Sequence, residues 1–148
     1  MLYYAAHMAE DGLVSSQDAR IDPFLAKYVE GWGREGDLGV IAEDKAGKPI
    51  DTAWLHALAV EERGYPSVPA DFPELAIAVD PGASGRGVGA ALLAALLNKA
   101  QTIHPGVVLS VRAGNRAIRL YERFGFDVVD EIANRVGGRS FVMILTFD

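Results

Sequence analysis

The stretch Glu74–Ala100, ELAIAVDPGASGRGVGAALLAALLNKA, constrains the fold more than any other part of the chain. Leu75, Ile77 and Val79 alternate with Ala76 and Ala78, which predicts a strand with one nearly bare face. Asp80-Pro81-Gly82 stops the strand and opens a loop. Gly85, Gly87 and Gly89 then run into an alanine- and leucine-rich segment, Ala90 to Ala100, of strong helix propensity. Leu92, Leu93, Leu96, Leu97 and Ala100 recur at helical spacing and give that helix a broad apolar face. The chain thus sets a glycine-rich turn at the N-terminus of a helix, directly after a strand.

That arrangement has a chemical use. The first turn of a helix carries N–H groups without intrahelical partners, and the macrodipole adds partial positive charge there. Glycines allow positive φ and close approach of a ligand to the backbone. Together they predict an anion site for phosphate or pyrophosphate, with Arg86 between two glycines as a formal charge. The plain alternative is a tight strand-to-helix connection with no ligand. A P-loop needs G-x-x-x-x-G-K-[ST], and no lysine follows these glycines. The dinucleotide pattern G-x-G-x-x-G/A is met by Gly85, Gly87 and Ala90, but its context fails. Val79 and Gly85 are separated by five residues, and the next strand ends in Ser110-Val111-Arg112 without an acid. A nicotinamide oxidoreductase is therefore the weaker reading.

Ser84-Gly85-Arg86-Gly87-Val88-Gly89 resembles the acetyl-CoA-binding motif of the Gcn5-related N-acetyltransferases, Gln/Arg-x-x-Gly-x-Gly/Ala. Ser84 departs from it, standing where the family prefers glutamine or arginine. A second resemblance lies in Asn115 to Phe126, NRAIRLYERFGF, where the family often shows Asn, then Ala, then Leu-Tyr-x-x-x-Gly-Phe. Here Asn115 is six residues before Tyr121, where many members place it seven before. The two motifs stand in the family's order, and the resemblance covers the chain except for a first strand, which it implies is missing before the opening helix.

The resemblance implies an α/β fold with a mixed, mostly antiparallel sheet and flanking helices, in a single domain over 1–148. It implies acetyl-CoA as acyl donor, no metal, and direct attack by an amine acceptor in a ternary complex. The backbone of Ile77, Ala78 and Val79 would pair with the pantetheine arm, between strands 74–79 and 107–112 that splay apart. The loop of Ser84, Gly85, Arg86, Gly87, Val88, Gly89 and Ala90 would take the pyrophosphate, with Asn115 as a further cofactor contact. Tyr121 would be the acid that protonates the leaving thiolate. Glu74 is the best candidate for the base, directly or through water. Ser110 occupies a site where some members carry a glutamate. An acyl-CoA-binding sensor without catalysis is the competing reading, which Ser84 and the lack of a strong base keep open.

Charge and composition bound the partners. The chain has 148 residues, half of them hydrophobic, and a net charge of −6, which argues against nucleic acid. Residues 1–74 carry 14 acids and 6 Lys/Arg, and residues 75–148 carry 6 acids and 8 Lys/Arg. The positive half holds the proposed polyphosphate site. The acidic half suits a cationic amine, small molecule or peptide, or is ordinary solvated charge. No run of apolar residues is long enough to span a membrane, and no secretory leader is seen. Cysteine is absent, which removes disulfides and thiol nucleophiles and fits a cytoplasmic protein. His7, His56 and His104 form no metal-ligand spacing and read as ordinary surface or core residues. A homodimer stays open.

The rest of the chain reads as elements around this centre. Met1 to Glu10 and Asp22 to Trp32 are predicted helices, the second with Phe24, Tyr28 and Trp32 as core or acceptor-pocket aromatics. Residues 37–43 and 50–60 form a predicted hairpin, followed by a loop over 61–72 in which Tyr65 is a candidate acceptor contact. Strand 107–112, a helix over 115–124 capped by Asn115 and stopped at Gly125, and strands at 126–129 and 140–147 complete the reading.

Overall fold

A computed structural model describes Gly33 and residues 35–43, 45–47, 49–57, 68–79, 87–134 and 137–148. The expected helices before Gly33, the missing first strand, Tyr65 and the segment Ser84 to Arg86 lie outside the described residues. The described strands are β1 (Leu38–Glu43), β2 (Pro49–His56), β3 (Glu74–Val79), β4 (Gly106–Arg112), β5 (Asp127–Ala133) and β6 (Arg139–Thr146). Two helices interrupt them, α1 (Val88–Ala100) and α2 (Ala117–Arg123).

The strands form one sheet in the order β1-β2-β3-β4-β6-β5. Every neighbouring pair is antiparallel except β3 and β4, which are parallel. A parallel pair needs a crossover, and the apolar α1 is that crossover. Its Leu92, Leu93, Leu96, Leu97 and Ala100 are buried against one face of the sheet. Tyr121 of α2 and Phe126 join the same cluster, with Ala53, Leu55, Leu75, Val107, Leu109, Val111 and Met143. On the opposite face Val68, Phe72, Val108 and Val142 form a second, smaller cluster. In β1 the alternation is strict: Leu38, Val40 and Ala42 pack inward while Ile41 is 63% exposed.

The β3–β4 contact differs from all the others. β4 and β6 share seven register pairs, whereas β3 and β4 share one, Glu74 with Val108. The Val108 N–H donates to the Pro73 carbonyl at 3.0 Å beside it. Beyond this point the two strands part, as the family resemblance implies, and leave a cleft that closes at Glu74. Gly106 begins β4 where there is no room for a side chain: a Cβ there would meet the Phe72 ring and lie 2.6 Å from the Leu145 carbonyl oxygen.

Several boundaries differ from those read in the sequence. β1 starts at Leu38, one residue after the predicted start, and the Asp37 carboxylate beside it accepts the Gly33 and Ala57 N–H groups. β2 ends at His56, because the Ala57 N–H donates to Asp37 Oδ1 instead of a neighbouring strand. α1 begins at Val88, two residues before the predicted start. α2 begins at Ala117, and Asn115 sits two residues ahead of it, accepting the Ala117 N–H on Oδ1 at 2.8 Å. β5 runs on to Ala133, longer than predicted, because an edge strand tolerates the charged Asp130 and Glu131.

Candidate acyl-transfer site

The N-terminus of α1 is built as the glycines predict. Gly87 precedes the helix with φ 73° and ψ 7°, in the left-handed region that favours glycine. No side chain caps this end, and no acidic residue occupies the first turn. The N–H groups of Val88, Gly89 and Ala90 thus have no partner within the helix, while the Gly87 carbonyl accepts from Ala91 N–H at 3.2 Å. Among the described residues, a Cβ built on Gly87 or Gly89 would meet nothing within 4 Å. Three converging donors at the positive end of a 13-residue helix suit a pyrophosphate.

The second feature is the cleft between β3 and β4. Along β3, Thr52, Ala53 and Asp51 of β2 pair with Ala78, Ile77 and Val79, which occupies one edge of the strand. In an extended strand successive N–H and C=O groups point to opposite edges, so the second edge of Ile77–Val79 faces the gap. Glu74 lies at the closed end, fully buried. Val79 is five steps along β3 from it, about 17 Å of strand, which compares with an extended pantetheine arm. Glu74 therefore marks the closed end of the cleft, and Val79 lies away from it along β3.

Tyr121 is held from the α2 side, in the core cluster, and is 6% exposed. Its placement comes from the end of its helix. Gly125 has φ 98°, and its N–H donates to the Glu122 carbonyl at 3.0 Å. The Phe126 N–H donates to the Tyr121 carbonyl at 3.1 Å. These two bonds make a Schellman closure, which folds Phe126 back onto Tyr121, ring centroids 5.9 Å apart at 63°. So the spacing Tyr-x-x-x-Gly-Phe has a physical meaning: it locks the tyrosine ring. Burial pushes the Tyr121 hydroxyl up to about 12, so it stays protonated throughout the neutral range. Asn115 spends its carbonyl oxygen on the Ala117 N–H, and this capping bond fixes the entry to α2.

The structure brings together two residues that the sequence reading set aside or left unremarked. The His56 ring places Nδ1 3.0 Å from Asp37 Oδ2, and both side chains are buried. Asp37 also accepts the Ala57 N–H at 2.6 Å and the Gly33 N–H at 2.8 Å. Burial opposes the charge of this carboxylate, but the bonds from Ala57, His56 and Gly33 outweigh it and hold Asp37 below the usual carboxylate range. Asp37 and His56 are 19 residues apart, and only the register of the β1–β2 hairpin makes them neighbours. His104 is a separate case, its Nε2 lying 2.7 Å from the Gly36 carbonyl oxygen.

Arg116, Arg119 and Arg123 recur at helical spacing along α2 and line a recess of about 660 Å³ with Leu120 and Glu122. Among the described residues no group of three His, Asp or Glu side chains could hold a metal ion. Among them, too, no helix is long and apolar enough to cross a membrane.

Comparison with known proteins agrees with this geometry. A family model described as an acetyltransferase (GNAT) domain matches residues 35–128. The mycothiol acetyltransferase of Propionibacterium freudenreichii is 31% identical over 125 residues, which cover 83% of this chain and 36% of that protein. The chain therefore spans about a third of the length of that relative. The ribosomal-protein-S18-alanine N-acetyltransferase of Escherichia coli superposes with a TM-score of 0.63 at 27% identity, over 82% of this chain and 76% of that one. A phosphinothricin acetyltransferase of Sinorhizobium meliloti, solved in complex with acetyl-CoA, gives 0.62 at 22% identity, over 75% of this chain and 61% of that one. The parted parallel strands, the glycine-opened helix and the family match over residues 35–128 agree, and the chain belongs to the GNAT acetyltransferase family.

Proposed function

We propose that the chain transfers an acetyl group from acetyl-CoA to the primary amine of an acceptor, by direct attack in a ternary complex. The observation that carries this reading is the cleft between β3 and β4, closed at Glu74; the reading sets the uncapped N-terminus of α1 at its other end. The amides of Val88, Gly89 and Ala90, with Gly87 and the preceding Ser84, Gly85 and Arg86, hold the pyrophosphate. The free edge of Ile77, Ala78 and Val79 pairs with the pantetheine amides, and Asn115 shapes the mouth of the cleft.

The chemistry needs three things. The amine must attack as a neutral base, the carbonyl oxygen needs a hydrogen-bond donor as it gains charge, and the departing thiolate needs stabilisation. Glu74 takes the proton of the amine, directly or through water. A backbone N–H near Val79 donates to the developing oxyanion. The C–N bond forms, the C–S bond breaks, and the electron pair of that bond leaves on sulfur. Tyr121 faces that sulfur with its phenol. A hydroxyl pushed up to about 12 is a weaker acid than an ordinary thiol near 8.5, so full proton transfer runs uphill. Tyr121 therefore acts as a hydrogen-bond donor to the thiolate and keeps its own proton, and the thiolate takes a proton from water as CoA leaves.

A cofactor-binding module without transfer is the second reading, and the complete burial of Glu74 favours it. Thiol release from acetyl-CoA separates the two. With amines presented in turn (spermidine, an alanine-started peptide, a free amino acid), the transfer reading expects release that depends on one amine class and a product heavier by one acetyl group. Tight acetyl-CoA binding with no release for any amine would favour the binding module.

A further inference from the structure

Among the described strands, β1 and β5 form the two ends of the sheet, and they are not alike. An end strand leaves one row of N–H and C=O groups outside the ladder, a template for another strand. β5 is guarded. Asp127, Asp130 and Glu131 lie along it, and a bulge between Val128 and Asp130 breaks its register. β1 reads Leu-Gly-Val-Ile-Ala-Glu, with no charge before its last residue. Its register with β2 shifts only there, between Ala42 and Glu43.

One bond fixes which groups of β1 point outward. The Thr52 Oγ1 hydroxyl donates to the Val40 carbonyl at 3.0 Å, so Val40 turns its N–H and C=O towards β2. Its neighbours Gly39 and Ile41 therefore turn theirs to the outer edge. No hydrogen bond among the described residues engages those groups. The side chains are open as well. Ile41 is 63% exposed, the most of any large hydrophobic among the described residues. On the opposite face a groove of about 520 Å³ runs beside β1, between Val40 and Ala42 and the short side chains of Ala91 and Ala95 on α1.

We propose that this edge is the contact of a homodimer, in which the β1 strands of two chains pair antiparallel about a twofold axis at Ile41. The strand is self-complementary in that register. Ile41 and the partner's Ile41 form a hydrogen-bonded pair, each N–H donating to the other's carbonyl. Gly39 meets the partner's Glu43, so the acid faces a residue without a side chain and no like charges oppose. The two exposed isoleucines cover each other on one face. On the other, Val40 and the partner's Ala42 close over the groove beside α1. Two six-stranded sheets thereby join into one continuous sheet. A second copy suits this edge because its outward positions are uncharged up to Glu43 and match themselves about a twofold axis. The cleft between β3 and β4 lies two strands away, so this pairing and acetyl transfer stand or fall separately.

Sedimentation velocity and cross-linking of the full chain test this. A pair of short strands is smaller than a standard interface of about 800 Å² per partner, so the mass should rise from one chain to two between about 1 µM and about 500 µM. Ile41→Lys sets two charges at the axis and should raise the dissociation constant at least about tenfold. Its melting temperature at low concentration should match the parent's, because residue 41 is exposed in the single chain. The chain has no cysteine, so Ile41→Cys carries the sole thiol. Opposed residues of a hydrogen-bonded pair lie about 5.5 Å apart at Cα, within disulfide reach. Mild oxidation should therefore link two copies of Ile41→Cys. Val128→Cys, on the other end strand and 48% exposed in the parent, should stay unlinked. A single-chain mass at about 500 µM overturns the proposal. A dimer that survives Ile41→Lys, or that cross-links equally through either thiol, places the contact elsewhere and overturns it too. So does a monomer whose Ile41→Cys thiol is shielded from maleimide, since another extended segment then covers the edge. Should Ile41→Lys not fold, the two cysteine variants decide.

Discussion

Tyr121→Phe should lower kcat about a hundredfold while the dissociation constant for acetyl-CoA stays within about twofold. The replacement removes one oxygen and keeps the ring. The ring is what the fold holds, through the Schellman closure at Gly125 and the edge contact with Phe126, so the variant should fold as the parent does. A fall shared equally by kcat and kcat/KM would mean that the lost interaction is made only in the transition state. A variant with full turnover would remove Tyr121 from the chemistry and leave it a core aromatic.

The same hydroxyl makes a stability prediction with a definite sign. Its folded value of about 12 lies above the value near 10 of an unfolded chain. The stability that Tyr121 contributes is therefore fully present below about pH 10 and is lost as the pH rises through about 12, on the order of 2–3 kcal/mol in all. Tyr121→Phe should flatten that alkaline loss. Urea melts of both chains at pH 8 and pH 11 check it, and parallel slopes would contradict the burial of the hydroxyl.

Leu93→Ala should cost about 3 kcal/mol and lower the melting temperature by about 10 °C. Leu93 is fully buried in α1, within the cluster that joins α1 to β2, β3 and β4. Truncation removes the apolar area and leaves a void, and the crossover helix is fixed at both ends by its strands, which limits collapse into it. Ala94 and Ala95, on the exposed side of the same helix, offer a contrast: Ala95→Ser should change stability by only a few tenths of a kcal/mol. A loss below 1 kcal/mol at Leu93 would mean that α1 packs less tightly than the cluster indicates.

The centre of the fold was legible because its signals are local. Alternation marks β3, glycines mark the turn, and leucines at three- and four-residue steps mark α1, each within one short window. Gly125 was equally plain, since a positive φ after a helix leaves few other residues. What escaped depends on register. Neither β3 nor β4 encodes in its own pattern that they meet at one pair of residues and then part; the family resemblance supplied that expectation. His56 carries no local mark either, and was read as an ordinary histidine. It acquires a partner only because the β1–β2 register sets Leu38 opposite Leu55. Asn115 was legible as the start of a helix, but not that Arg116 lies between it and the α-helix proper. The end of β5 was missed because Asp130 and Glu131 mask the alternation, a disguise that an edge strand permits.

The central claim is that the cleft and the α1 N-terminus bind acetyl-CoA, and calorimetry of the purified chain tests it most directly. Acetyl-CoA, NADH and ATP are titrated in parallel. Binding of acetyl-CoA at micromolar affinity, with no heat from NADH or ATP, is the predicted result. Heat from NADH and none from acetyl-CoA would contradict it, and would hand the glycines of residues 85–89 to a different ligand.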